Sequence, residues 1–165
     1  MRRTLIAIAC LALLAGVGCD AGVDGGAGSG GHLRVVRKAA RTSTLMDEPG
    51  RAEYCASDSL LTIVALGRGH GAGFAIRTTL PLRQTTGFGV QSTLAGPGSA
   101  TAAFRLADGS GRVAASGQLR LRAATDVGGD FDVSVSDTAG TPVRYVGTLE
   151  NIPVRALPPA SCPHP

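Results

Sequence analysis

The sequence predicts an all-β fold, an antiparallel β-sandwich or a small β-barrel of about 7–8 strands with one disulfide. Three observations predict it. Apolar and polar residues alternate with a period of two from residue 59 onward, turn-rich stretches such as "ADGSG" and "DVGGD" separate the runs, and two cysteines, Cys55 and Cys162, frame the region. Because successive side chains of a strand point to opposite faces, the alternation predicts one buried and one solvated face.

Seven stretches carry the predicted strands. In chain order they are SLLTIVAL (59–66), GFAIRTTL (73–80), FGVQSTL (88–94), TAAFRL (101–106), GQLRLRA (117–123), DFDVSVS (130–136) and PVRYVGTLENIPV (142–154). The core is expected to consist mainly of aliphatic side chains and to include the four phenylalanines. Residues 32–53 include several basic side chains, which are expected to form a solvated face. The periodicity of this segment does not decide between a helix and a strand.

The N-terminal segment predicts export. Arg2 and Arg3 precede an apolar run from Leu5 to Ala15, and small residues then lead to Cys19. This order is that of a secretory signal peptide, and the run is shorter than the roughly 20 residues that span a bilayer. The string "RRTLI" is also similar to a minimal twin-arginine signal, which would lead to the same compartment.

The end of this segment, "GVGC", resembles the lipobox of bacterial lipoproteins, although Gly16 stands where that family usually has leucine. The resemblance implies cleavage after residue 18, followed by lipidation and acylation of Cys19 at the membrane. The predicted organisation is therefore a signal peptide (1–18), a lipidated cysteine with a flexible glycine-rich tether (19–31) and one all-β domain (32–165). The alternative is an ordinary signal peptide and a soluble secreted protein.

Charge and aromatic content argue against a nucleic-acid partner. The chain has 16 Lys and Arg against 12 Asp and Glu, so losing Arg2 and Arg3 with the signal peptide leaves 14 against 12, a net charge of +2. Nucleic-acid binding needs clustered basic residues, often with aromatic side chains that stack on bases, and the chain has no Trp and few other aromatics.

Cys55 and Cys162 are predicted to form a disulfide. Cys10 is set aside because few apolar residues precede it, and Cys19 is assigned to lipid. Two remaining cysteines in an oxidising compartment most simply pair with each other. The alternative is a catalytic thiol at Cys55 with His70 or His164 as its base.

The glycines at 67, 69, 71 and 73 raise the question of a phosphate-binding loop. "GRGHGA" satisfies the spacing of a dinucleotide fingerprint, but the β-rich "FAIRTTL" follows where that motif requires a helix. No Lys-Ser/Thr pair follows the glycines either, which excludes a P-loop. The stretch is therefore predicted to be a hairpin turn, and no cofactor is expected.

Metal chemistry has one weak candidate. No two histidines stand at a zinc-binding spacing, whereas Asp126, Asp130 and Asp132 lie in one acidic stretch together with Asp137 and offer oxygen ligands for calcium. The alternative interpretation is a hairpin in which Arg120 and Arg122 face Asp130 and Asp132 across two strands.

The predicted role is a non-catalytic binding or structural module of the cell envelope, anchored to the membrane by lipid. Three hypotheses describe how it acts. The first is an interaction module for another envelope protein, the second a small barrel that carries an apolar ligand, and the third a hydrolase in which acidic residues and His70 meet in one cleft.

Overall fold

A computed structural model describes residues 30–39, 41–136 and 140–162 of the chain. The predicted signal peptide, Cys19 and the tether up to residue 29 lie outside these ranges, as do Asp137 and His164. No helix in the described ranges has the length and apolar character needed to cross a membrane.

Nine β-strands build the domain. They are β1 (His32–Lys38), β2 (Thr42–Cys55), β3 (Leu60–Leu66), β4 (Gly71–Arg77), β5 (Leu82–Gln91), β6 (Ser99–Arg105), β7 (Gly111–Ala123), β8 (Asp126–Ser136) and β9 (Pro142–Ala156), followed by one 3-10 turn, Pro159–Ser161. The all-β prediction is confirmed, with nine strands in place of 7–8. The stretch that periodicity left undecided forms β1 and β2, and the "DEPG" sequence inside β2 obscured its alternation.

The strands close into a barrel in the order β1-β2-β3-β4-β6-β5-β7-β8-β9, and β9 pairs back onto β1. Of the two predicted architectures, the barrel is the correct one. Neighbouring strands are antiparallel except for the short parallel pairings of β5 with β6 and of β2 with β9.

The interior of the barrel is filled by the inward side chains. One core cluster contains 0–3 % exposed residues from every strand, among them Leu33, Met46, Ile63, Ile76, Phe88, Ala102, Leu119, Val133 and Leu149. Four of its aromatic members, Phe74, Phe104, Phe131 and Tyr145, contact one another. The Phe74 ring lies 4.9 Å from Phe131 and 6.2 Å from Phe104 between centroids, and Phe104 meets Tyr145 edge-on at 4.9 Å. Such edge and offset contacts add to the free energy gained from burial.

The two ends of the barrel differ. We call one end the mouth; there β1, β3, β6 and β8 finish and β2, β4, β7 and β9 begin. At the opposite end, which we call the base, the predicted disulfide is confirmed. It joins Cys55 at the end of β2 to Cys162, with their Cα atoms 5.6 Å apart, and so fastens the C-terminal segment to the barrel.

Gly147→Ala is expected to lower the free energy of unfolding by about 1–3 kcal/mol, the range for overpacking a tight core. Gly147 lies opposite Phe131 on β8, and a Cβ at this position would overlap the Phe131 ring and the carbonyl oxygen of Arg34. Urea unfolding measures the loss. Gly89→Ala is the matched control, because a Cβ there meets no atom within 4 Å. Equal effects of the two substitutions would contradict the packing described here.

Candidate functional site

A pocket of about 290 Å³ opens at the mouth of the barrel. Its apolar surface comes from Leu45 on β2, Leu106 just after β6, and Val143 and Tyr145 on β9. Val143 and Tyr145 are buried, whereas the two leucines are partly exposed. Apolar pockets with a few polar groups at barrel mouths are common ligand sites.

Two arginines reach this pocket from inward-facing strand positions. Arg37 on β1 pairs directly with Tyr145 on β9, and Arg112 on β7 pairs directly with Phe104 on β6. Directly opposed residues of neighbouring strands share one face of the sheet. Because Tyr145 and Phe104 are buried inside the barrel, both arginines are placed on its inner face, and both line the pocket.

Neither guanidinium forms a salt bridge within the described part of the chain. Arg112 donates a hydrogen bond from Nη1 to the carbonyl oxygen of Gly111 at 2.9 Å. Arg37 is exposed at the rim, whereas Arg112 is half-buried. The pocket therefore combines two cationic groups with apolar side chains.

Tyr145 lines the same pocket as the two arginines. Burial raises the pKa of its hydroxyl, and the positive charges of Arg37 and Arg112 act in the opposite direction with smaller effect. The hydroxyl consequently stays protonated at neutral pH. It makes no hydrogen bond to the residues that the structure describes, so a protonated donor is available in the lining of the pocket.

The raised pKa of Tyr145 predicts a loss of stability at alkaline pH. An unfolded tyrosine ionises near pH 10, whereas the folded protein holds this proton more tightly. The stabilisation is therefore complete below about pH 10 and is lost as pH rises through the folded pKa. Urea midpoints at pH 8 and pH 11 test this. Tyr145→Phe should show a smaller fall between the two pH values, and an equal fall in both proteins would refute the assignment.

Asp108 contributes a carboxylate at the rim of the pocket. Its Oδ1 accepts hydrogen bonds from the Ser110 hydroxyl at 2.6 Å and from the Ser110 N–H at 2.9 Å. These hydrogen bonds, with a smaller effect from Arg112, lower the pKa of Asp108. The described lining thus carries two positive charges and one negative charge at neutral pH.

His70 meets one acidic residue. Its Nε2 lies 3.1 Å from Oε1 of Glu48 on β2, and both side chains are mostly shielded from solvent. Neither residue lines the pocket, and the contact joins the β3–β4 turn to β2. A Cβ on Gly67 would overlap both the Glu48 carboxylate and the His70 ring, so glycine leaves the room for this pair.

The glycine-rich stretch is a corner, as predicted. β3 and β4 pair as an antiparallel hairpin with Leu66 opposite Gly71, and Gly69 has φ +77°, a conformation that favours glycine. The alternative of a catalytic thiol at Cys55 is wrong, because its sulfur is bonded to Cys162.

The acidic stretch pairs with arginines on the outer surface. Arg120 lies opposite Asp130 and contacts it at 2.8 Å, as predicted. The predicted facing of Arg122 and Asp132 is wrong, because moving two residues along one antiparallel strand moves two residues back along its partner, and Arg122 faces Gly128. Asp132 pairs instead with Arg144 on β9, whose hydrogen bonds lower the pKa of that carboxyl.

The three calcium candidates are not gathered around one point. Asp130 and Asp132 each hold an arginine, and Asp126 stands at the start of β8, opposite Pro153. Within the described ranges, one group of three ligand-type side chains comes together, Cys55, Asp58 and Cys162, and its sulfurs form the disulfide.

Sequence reasoning missed the residues of the mouth. The signal for Arg37 was present, since Leu33, Val35 and Arg37 follow one another at a spacing of two and the first two are buried. Arg37 and Tyr145 could not be brought together in the same way, because their strands, β1 and β9, meet where the barrel closes.

The fold and the site together define a filled nine-stranded barrel with an arginine-lined pocket at one end. Comparison of the chain with protein-family models, with curated proteins and with solved structures finds no match.

Proposed function

We propose that this chain is a cell-envelope lipoprotein whose barrel is a non-catalytic binding module, and that the mouth pocket binds a small ligand with an apolar part. The observation that carries the proposal is the contrast between a filled interior and an open pocket of about 290 Å³ at one end, lined by both apolar and charged side chains. A ligand would be held at the end of the barrel, since core side chains occupy its centre.

The proposed location rests on the N-terminal sequence and on the disulfide. The signal-like segment, "GVGC" and the glycine-rich tether stand in the order expected for a lipid-anchored protein. A disulfide between Cys55 and Cys162 is the kind of bond that persists in oxidising compartments. Several acyl chains on one terminus would hold the protein at the membrane far more firmly than a single chain.

Intact-mass analysis of the protein extracted from membranes tests the anchor. We expect the mass of a chain that begins at Cys19 and carries lipid and acyl groups. Because Cys55 and Cys162 form a disulfide, this mass should be two hydrogens lower than that of the reduced form. A chain that retains the first 18 residues, or a soluble chain without lipid, would refute the anchored location.

Binding at the mouth is tested with 1-octanol, an uncharged eight-carbon probe. The test protein is the chain from residue 19 onward with Cys19→Ser, which carries no lipid. We expect saturable chemical-shift changes in its ¹⁵N-labelled amides around Leu45, Leu106 and Val143.

Leu106→Trp should fill the pocket and weaken this binding at least about tenfold, a difference of roughly 1.4 kcal/mol. Leu66→Trp is the matched control, because Leu66 ends β3 at the same end of the barrel, is 48 % exposed and does not line the pocket. The proposal fails if octanol does not bind, or if the two tryptophan variants behave alike.

A further inference from the structure

We infer that the mouth pocket selects a small amphiphile that carries a single negative charge, of the class of medium-chain carboxylates, and that Arg37 and Arg112 bind its anionic group. This inference rests on the proposed binding at the mouth and adds to it the charge of the ligand.

The positions of the two arginines support this inference. Arg37 and Arg112 stand at inward positions of β1 and β7, on strands that reach the pocket from different sides of Tyr145. Arg112 is half-buried and gives up part of its hydration, which is unfavourable unless another group compensates for it, whereas Arg37 is exposed at the rim. The described residues supply no ion-pair partner for either arginine.

The outer wall offers a comparison within the same molecule. Arg120 and Arg144 project from β7 and β9 outside the barrel, and each holds an aspartate, Asp130 and Asp132 respectively. Two outer-wall arginines thus hold carboxylates, whereas Arg37 and Arg112 form no salt bridge within the described residues. A ligand anion would supply the missing partner.

The charge of the described lining also supports the inference. Arg37 and Arg112 give two positive charges, and the ionised Asp108 carboxylate removes one. The single positive charge that remains on the described lining matches a monoanion. The planar arginine fork fits two carboxylate oxygens.

Apolar side chains line the same pocket as these charges. Leu45, Leu106 and Val143 offer an alkyl chain a place out of water, and the volume of about 290 Å³ suits a small molecule. An anionic head on the arginines and a short apolar tail against these side chains would use both parts of the lining.

The test compares octanoate with 1-octanol, which have chains of equal length and differ in charge, at pH 7 on the chain from residue 19 with Cys19→Ser. We expect octanoate to bind about tenfold more tightly in 20 mM NaCl, with the advantage shrinking in 500 mM NaCl because salt screens charges at a rim. Arg37→Gln and Arg112→Gln should each weaken octanoate about tenfold and change octanol binding less than twofold.

Two further variants serve as controls. Asp108→Asn removes the opposing charge and should strengthen octanoate binding, while Arg120→Gln removes an outer-wall arginine and should leave it unchanged. Urea unfolding of each variant verifies that the barrel is intact.

The possible results distinguish failure of the anion selectivity from failure of the proposed binding function. Equal affinity for octanoate and octanol would overturn the anionic selectivity and leave the binding module standing. Failure of both probes to bind would overturn the binding module, and the inference with it. If Arg120→Gln weakened octanoate binding as much as Arg112→Gln does, the preference for an anion would come from the net charge of the protein. That result would overturn the assignment of the anion site to the mouth.

Discussion

Phe104→Ala is expected to lower the free energy of unfolding by about 3–5 kcal/mol, the range for deleting a fully buried aromatic side chain. Phe104 is 0 % exposed, and its ring contacts Phe74, Phe131 and Tyr145. Alanine would leave a cavity among three other rings, which the closed sheet cannot collapse to fill. Urea unfolding of the two proteins at the same pH measures the difference.

Leu66→Ala is the control for this substitution. Leu66 is a large apolar side chain near the same end of the barrel, but it is 48 % exposed and should cost well under the Phe104 value. If Phe104→Ala lost less than about 1 kcal/mol, the filled aromatic centre described above would be incorrect.

Replacing both Cys55 and Cys162 with alanine is expected to lower the free energy of unfolding by about 2–5 kcal/mol. The disulfide joins residues 107 positions apart, so in the unfolded chain it closes a loop that contains β3 to β9. The bond also fastens the C-terminal segment to the end of β2 at the base, where Leu157 N–H donates to the Tyr54 carbonyl oxygen. A loss of this size is a large share of the stability of an ordinary domain.

Reduction provides the control for the disulfide. Dithiothreitol should lower the urea midpoint of the parent protein toward that of the double alanine variant, and it should have no effect on the variant itself. If the parent and the double alanine variant unfolded at the same urea midpoint without reductant, the disulfide would not contribute to the free energy of unfolding.

Much of the fold followed from the period of two in the sequence. Runs such as "QLRLRA" and "DFDVSVS" form β7 and β8, and the hairpin between them brings Arg120 to Asp130. The pairing of Cys55 with Cys162 was predicted from the number of cysteines and the proposed oxidising compartment, without knowledge of the fold. These inferences succeed because strand alternation and cysteine chemistry are local or compositional properties.

The candidate site could not be predicted in the same way. Arg37, Arg112 and Tyr145 lie on three strands that meet because the sheet closes, and closure depends on the joining of β9 to β1. The basic residues near Arg37 are expected on a solvated face, because periodicity does not show that this segment is a strand. His70 is the candidate base of the hydrolase hypothesis, whereas the structure pairs it with Glu48 outside the pocket lining.

The most direct measurement of the central claim is a set of intermolecular nuclear Overhauser effects between octanoate and the ¹³C-labelled protein. The account predicts contacts from the octanoate chain to methyl groups of Leu45, Leu106 and Val143, with the carboxylate end near Arg37 and Arg112. Contacts confined to the outer wall, for example to Val64 and Leu66 on β3, would contradict it.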